Sequence, residues 1–149
     1  MKLIITFFVL FCLTTSHAAT TATLLLKGSV PSILEISSTP ETIASTLNLT
    51  TSVTNLQVGT ITTRSNGSNG YKVTVTSANH GKLMNGTKFL NYQLSFNDVD
   101  VNLTTGTAFD YPFTNAAPIN RNVKITYTGS STLPAGDYTD SVTFTIASN

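Results

Sequence analysis

The sequence predicts an all-β fold, a β-sandwich of short amphipathic strands, and three observations carry that prediction. Apolar residues recur at every second position in one segment after another, the period with which side chains alternate across a strand. Turn-forming runs such as Asn-Gly and Pro-Ala-Gly separate these segments at short intervals. No stretch sustains the apolar period of a helix.

The first eighteen residues stand apart from this pattern. Lys2 supplies a positive start, Leu3 to Leu13 form a short apolar core, and Ser16-His17-Ala18 closes it with small residues at the cleavage-determining positions. This is the organisation of a secretory signal peptide cut after Ala18. Cys12 follows bulky Phe11, which does not suit lipoprotein processing, and the polar run after Leu13 does not suit a membrane anchor. Cys12 is the only cysteine, so residues 19–149 carry no thiol and no disulfide. A small exported domain without disulfides needs an adequate apolar core, and the length allows one such domain.

Residues 19–31 read as an N-terminal extension. Within it Ala22, Leu24, Leu26, Gly28 and Val30 share one face, opposed mostly by Thr23, Lys27 and Ser29, with Leu25 as the exception. Pro31 cannot donate to a ladder and marks a break before the domain, residues 32–149. Ile33 to Ile36 reads as a strand, Leu34 and Ile36 continuing the face begun at Ala22. Leu47-Asn48-Leu49 alternates, and Val53 to Thr63 is strand-like with an ambiguous phase. Arg64 to Gly70 carries two Asn-Gly pairs, a strong turn signal. Tyr71, Val73 and Val75 alternate with Lys72, Thr74 and Thr76. Asn85-Gly86 suggests a hairpin, and Leu90, Tyr92, Leu94 and Phe96 form the most amphipathic internal strand. Val99 and Val101 suggest a short strand before a loop from Thr104 to Asn120. Val123, Ile125 and Tyr127 form the penultimate strand, and Leu133-Pro134-Ala135-Gly136 turns the chain into the last. That last strand, read as Asp137 to Ile146, puts Tyr138, Val142, Phe144 and Ile146 on one face with Asp140 as its polar exception.

Charge and chemistry narrow the function. Charged residues make up 10 % of the chain, and removing Lys2 leaves seven basic residues against seven acidic ones. A nucleic-acid partner needs a basic patch, and none is visible. His80 is the only histidine after Ala18, too few for a zinc site without carboxylate help, and it reads as a turn residue. Asp98-Val99-Asp100-Val101-Asn102 imitates the start of a calcium loop, but Leu103 and Phe109 stand where glycine and glutamate are required. Two aspartates on one strand face leave a weak cation site as the sharper alternative to a solvated edge. No Gly-x-Ser-x-Gly elbow occurs, and no tryptophan offers a sugar platform. Phe109, Tyr111 and Phe113 lie in the long loop and are expected to cover a core edge. The chain does not read as an enzyme, and no cofactor or metal is expected.

The stretch Leu133 to Ile146, with its Pro-Ala-Gly turn, its tyrosine and its alternating strand, resembles the C-terminal end of chaperone–usher fimbrial subunits. It looks most like the spore coat protein U group and its archaic-pilus relatives. Residues Thr20 to Pro31 are similar to the extension of colonisation-factor fimbriae, which also lack cysteine. The two ends together cover about a fifth of residues 19–149. The disulfide of spore-coat-like subunits has no counterpart here. The resemblance implies an immunoglobulin-like sandwich lacking its final strand, captured by a periplasmic chaperone and passed to an outer-membrane usher. The extension of the next copy, or of a related pilin, then fills the groove. Ala22, Leu24, Leu26, Gly28 and Val30 would be the donated knobs, and Val142, Phe144 and Ile146 would form the groove edge and chaperone contact. Export through the periplasm to a surface fimbria follows from the same resemblance. Two alternatives stay open on the residues alone. Residues 22–30 could be the first strand of a complete sandwich, and the chain could be a self-contained secreted adhesin or carbohydrate-binding domain.

Overall fold

The computed structural model describes residues 19–149, so the expected signal peptide, residues 1–18, lies outside the described residues. The chain divides into two units, one ending at Val30 and one spanning Pro31–Asn149. The second is all-β, with ten strands in antiparallel pairings and one short 3-10 turn, Thr42–Ser45. The strands are β1 Leu34–Pro40, β2 Val53–Ser65, β3 Tyr71–Ser77, β4 Lys82–Asn85 and β5 Lys88–Asn91. They continue as β6 Gln93–Phe96, β7 Val99–Val101, β8 Thr107–Tyr111, β9 Ile119–Tyr127 and β10 Val142–Ser148. One sheet has the order β1-β2-β9-β6-β7, a second has β10-β3-β8, and β4 and β5 form a separate hairpin.

The two sheets face each other across one apolar core. Ile61 of β2, Leu94 and Phe96 of β6, and Val123, Ile125 and Tyr127 of β9 come from one side; Tyr71, Val73 and Val75 of β3 come from the other. Phe96 is wholly buried and takes Phe109 edge-on at 5.2 Å and Phe144 tilted at 5.4 Å. Such aromatic contacts add about 0.5–1.5 kcal/mol each beyond the area they bury. Arg121 lies in the same inward register as Val123 and Ile125 and is also buried.

Several local expectations are corrected, each for a physical reason. The ambiguous phase before Thr63 belongs to real bulges: the β2–β9 register shifts between Val53 and Leu56 and again between Gln57 and Gly59. Asn55 takes a positive φ of 53° at the first, and each extra residue moves later side chains to the other face. Leu47-Asn48-Leu49 is not a strand. It follows the 3-10 turn as loop, with Leu47 and Leu49 packed on the core edge and Tyr127 OH donating to the Asn48 carbonyl at 3.0 Å.

The run Leu90, Tyr92, Leu94 and Phe96 is not one strand. It breaks at Tyr92, where the chain leaves the β4–β5 hairpin and enters the five-stranded sheet, although all four side chains are buried. The stretch 104–120 contains β8, paired to β3 along Tyr71↔Tyr111 through Val75↔Thr107. Its aromatics divide: Phe109 and Tyr111 pack on the core, whereas Phe113 is exposed. The last strand starts at Val142 and not at Asp137.

Candidate functional site: two open strand edges and an unpaired segment

β10 pairs only with β3, from Val142↔Ser77 to Ser148↔Tyr71, and β1 pairs only with β2. The two strands approach to within 8 Å between Cα atoms, yet no ladder joins them. Each therefore presents a row of unpaired backbone groups toward the other, the situation in which an added strand finds hydrogen bonds.

The side chains at this edge are covered less than their neighbours. On β3, Val73 and Val75 are fully buried. Directly across the ladder Val142, Phe144 and Ile146 are only half-buried, as is Ile36 on β1. Their apolar faces point into the core, but the core stops at them. At the end where β10 begins, a crevice of about 630 Å³ opens between Leu47, Leu49, Leu83, Leu133 and Tyr138.

One polar cluster holds the start of this edge, and a second braces the strands behind its other end. At its start, Ser77 Oγ and Tyr92 OH each donate to Asp140 Oδ2 at 2.6 Å. The backbone N–H groups of Asn79 and Ser141 donate to Oδ1 at 2.9 and 2.7 Å. One carboxylate thus ties the entry to β10 to the β3–β4 turn and to Tyr92. Burial, reinforced by the bond to Asp140 and its charge, holds the Tyr92 hydroxyl well above its ordinary value. Thr139 adds a two-bond bridge to Met84, at 2.9 and 3.0 Å.

At the other end Arg121 donates to Thr63 Oγ1 and to Tyr71 OH, and its guanidinium lies 3.7 Å from the Tyr111 ring centroid. No ion pair to Arg121 occurs among the described residues. Burial raises the Tyr111 hydroxyl and outweighs the opposing pull of the Arg121 charge. Gly70 has a φ of 77° at the turn into β3, where a Cβ would stand 2.1 Å from the Tyr111 carbonyl oxygen, so the β2–β3 turn fits tightly against β8.

The other part of the candidate site is the segment ending at Val30. Residues 19–30 belong to no strand and every one is exposed. Leu24, Leu26 and Val30 are 82 %, 82 % and 85 % exposed, and a Cβ on Gly28 would meet nothing within 4 Å. Ala22 is likewise exposed, so all five stripe positions are exposed and none lies in a strand. The off-stripe residue Leu25 is 85 % exposed as well.

The remaining candidates from the sequence fall into ordinary structural places. His80 sits in the β3–β4 turn with a positive φ of 55°, its Nδ1 3.1 Å from the Thr104 carbonyl oxygen. Asp98 does not share a strand face with Asp100. Asn97 and Asp98 both take positive φ in the two-residue turn between β6 and β7, which aims Asp98 at Lys124 while Asp100 accepts from Gln93 Nε2 at 3.0 Å. Among the described residues no cluster of His, Cys, Asp and Glu could hold a metal, and no helix is long and apolar enough to cross a membrane.

Asp140 and Arg121 are the two residues whose roles the sequence reading missed, and each left a signal. Asp140 was the polar exception on an otherwise apolar face. Arg121 shares the alternation of Val123, Ile125 and Tyr127, a register in which a charge has to find partners. Comparison with known proteins finds no family model that matches the chain and no curated protein significantly similar to it.

Proposed function

We propose that this protein is a structural subunit of a surface fimbria, an incomplete immunoglobulin-like sandwich polymerised head-to-tail by donated strands. Residues 20–30 of one copy enter the gap between β1 and β10 of the next. A periplasmic chaperone occupies that gap first, and an outer-membrane usher is where the exchange takes place. One observation carries the reading: an alternating apolar stripe with no partner and a half-covered core edge with no ladder belong to the same chain. Each needs what the other offers. Burying Leu24, Leu26 and Val30 is worth roughly 1.5–3 kcal/mol apiece, and the strand also gains ladder bonds. The contact is between two different surfaces and does not close, so it propagates into a filament.

The test is the chain lacking Thr20 to Val30. It should depend on the chaperone for solubility and gain thermal stability from a synthetic peptide of residues 20–30. A compact, cooperatively unfolding monomer indifferent to that peptide would defeat the reading. It would favour a self-contained secreted binding domain, with the crevice beside Tyr138 as its ligand site.

A further inference from the structure

Asn66, just past the end of β2, extends the β1–β2 pairing with its side chain. The regular register ends at Leu34↔Ser65. Beyond it the Asn66 backbone N–H donates to the Ile33 carbonyl at 3.2 Å, and Asn66 Oδ1 accepts from the Ile33 N–H at 2.7 Å. Asn66 Nδ2 then donates to the Pro31 carbonyl at 2.7 Å. Proline has no N–H, so this carbonyl is the one backbone hydrogen-bonding group Pro31 has, and Asn66 holds it. A carboxamide offers one acceptor side and one donor side, which lets it stand in for a peptide group in a rung. The result is that Pro31–Ile33 is held against the end of β2 and continues the path of β1.

That restraint bears on where the preceding residues can go. A segment ahead of β1 reaches the free edge of β1 in its own chain only by reversing direction, and the tightest reversal is a two-residue hairpin loop. Residues 31–33 are where such a loop would preserve the whole stripe. With those residues held in line, the two-residue loop has to be made from Ser29 and Val30. That removes Val30 from the strand and leaves a shorter stripe to insert.

We propose that Asn66 is a positioning residue that disfavours filling of the gap by residues 20–30 of the same subunit and biases them toward a second copy of the chain. The inference rests on the donor-strand reading above. It adds what decides between insertion in cis and in trans.

The experiment uses chain 19–149, unfolded and refolded at low concentration. Species are separated by size, and hydrogen exchange of amides 20–30 is measured in each. In the wild type, protection of these amides should reside in oligomers. Asn66→Ala should move it into monomers, raising the protected-monomer fraction by about fivefold, the shift expected from losing side-chain bonds of ordinary strength. Asn66→Asp keeps the acceptor for Ile33 and loses the donor to Pro31. It should shift the same way, and it serves if the alanine variant does not fold. Equal partition of protection between monomer and oligomer in wild type and variants overturns the role of Asn66 while the donor reading stands. Amides 20–30 unprotected in every species of every variant overturn the donor reading, and this inference with it.

Discussion

Residues 22–30 and β10 carry a similar alternation of apolar and polar side chains, yet only β10 is paired into a sheet. In β10 the stripe Val142, Phe144 and Ile146 is laid on β3 and half-buried; in the earlier segment Leu24, Leu26 and Val30 stand exposed. The pattern alone does not separate them, because alternation states only that one face should be covered. What separates them is anchoring. β10 is entered through Asp140, whose carboxylate receives four hydrogen bonds, and it faces a ready partner strand. The segment before Pro31 has no ladder of its own. Amphipathicity predicts burial; the surrounding polar contacts decide against which surface.

The comparison can be broken most severely at Phe144. Removing a fully buried ring costs about 3–5 kcal/mol; half-buried Phe144 falls at the lower end, and a carboxylate in its place adds a desolvation penalty. Phe144→Asp should exceed the stability of the domain and abolish soluble accumulation. Thr143→Lys, on the exposed face of the same strand, should stay within about 0.5 kcal/mol in urea unfolding. Similar losses from both would show that the facing of β10 is misassigned.

Next in size is Asp140→Ala, which strips the entry of β10 of its anchor and should make it behave more like the free segment. Hydrogen bonds to a charged group contribute about 1.5–3 kcal/mol each but not additively, so a loss of about 3 kcal/mol is expected, read as a lower urea midpoint at unchanged slope. Hydrogen exchange at Val142 and Phe144 should accelerate in the same variant. A midpoint equal to that of the wild type would remove anchoring from the explanation.

A smaller effect comes with pH. The Tyr92 hydroxyl is raised in the folded state by burial and by Asp140, and burial also raises Tyr111 and Tyr127. Above the ordinary tyrosine value of 10.0 the unfolded chain loses protons that the folded chain keeps, so ionisation favours unfolding. Stability should be indifferent to these groups below that pH and fall progressively above it. Tyr92→Phe should reduce the steepness of that alkaline fall, measured by denaturant midpoints across the range. The smallest stability effect belongs to Leu26→Asp. The domain midpoint should move by less than about 0.5 kcal/mol, because Leu26 is exposed, while assembly into oligomers is lost. A large destabilisation of the isolated subunit would mean that the segment is part of its own core.

Strand positions with strict alternation were the legible part of the fold. Tyr71 to Val75 and Val123 to Tyr127 needed no tertiary information, because period two against a single buried face leaves one register. The bulges in β2 were legible only as a loss of phase at Val53 to Thr63. The break at Tyr92 was hidden because side chains on both sides of a sheet change are equally apolar. β8 was hidden because Thr107 to Tyr111 has two aromatics and too few alternating positions to rise above a loop. At the candidate site, Val142, Phe144 and Ile146 were readable from their period. The contact of Asn66 with Pro31 and Ile33 was not, since 33 residues separate the donor N–H of Ile33 from its acceptor and an Asn-Gly pair reads simply as a turn.

Asp140 gives the last strand a direction in which it comes apart. Tyr71 and Ser77 are the first and last residues of β3, so the arginine cluster and the Asp140 cluster sit at opposite ends of one strand. The partners of Arg121 are two hydroxyls and an aromatic face, spread over β2, β3 and β8. Asp140, in contrast, gathers its four donors from the end of β3, the turn after it, Tyr92 and the entry to β10 itself. The carboxylate grips the Val142 end of β10 directly, whereas the Ser148 end is held by its ladder to β3 alone, so the strand peels from Ser148 first.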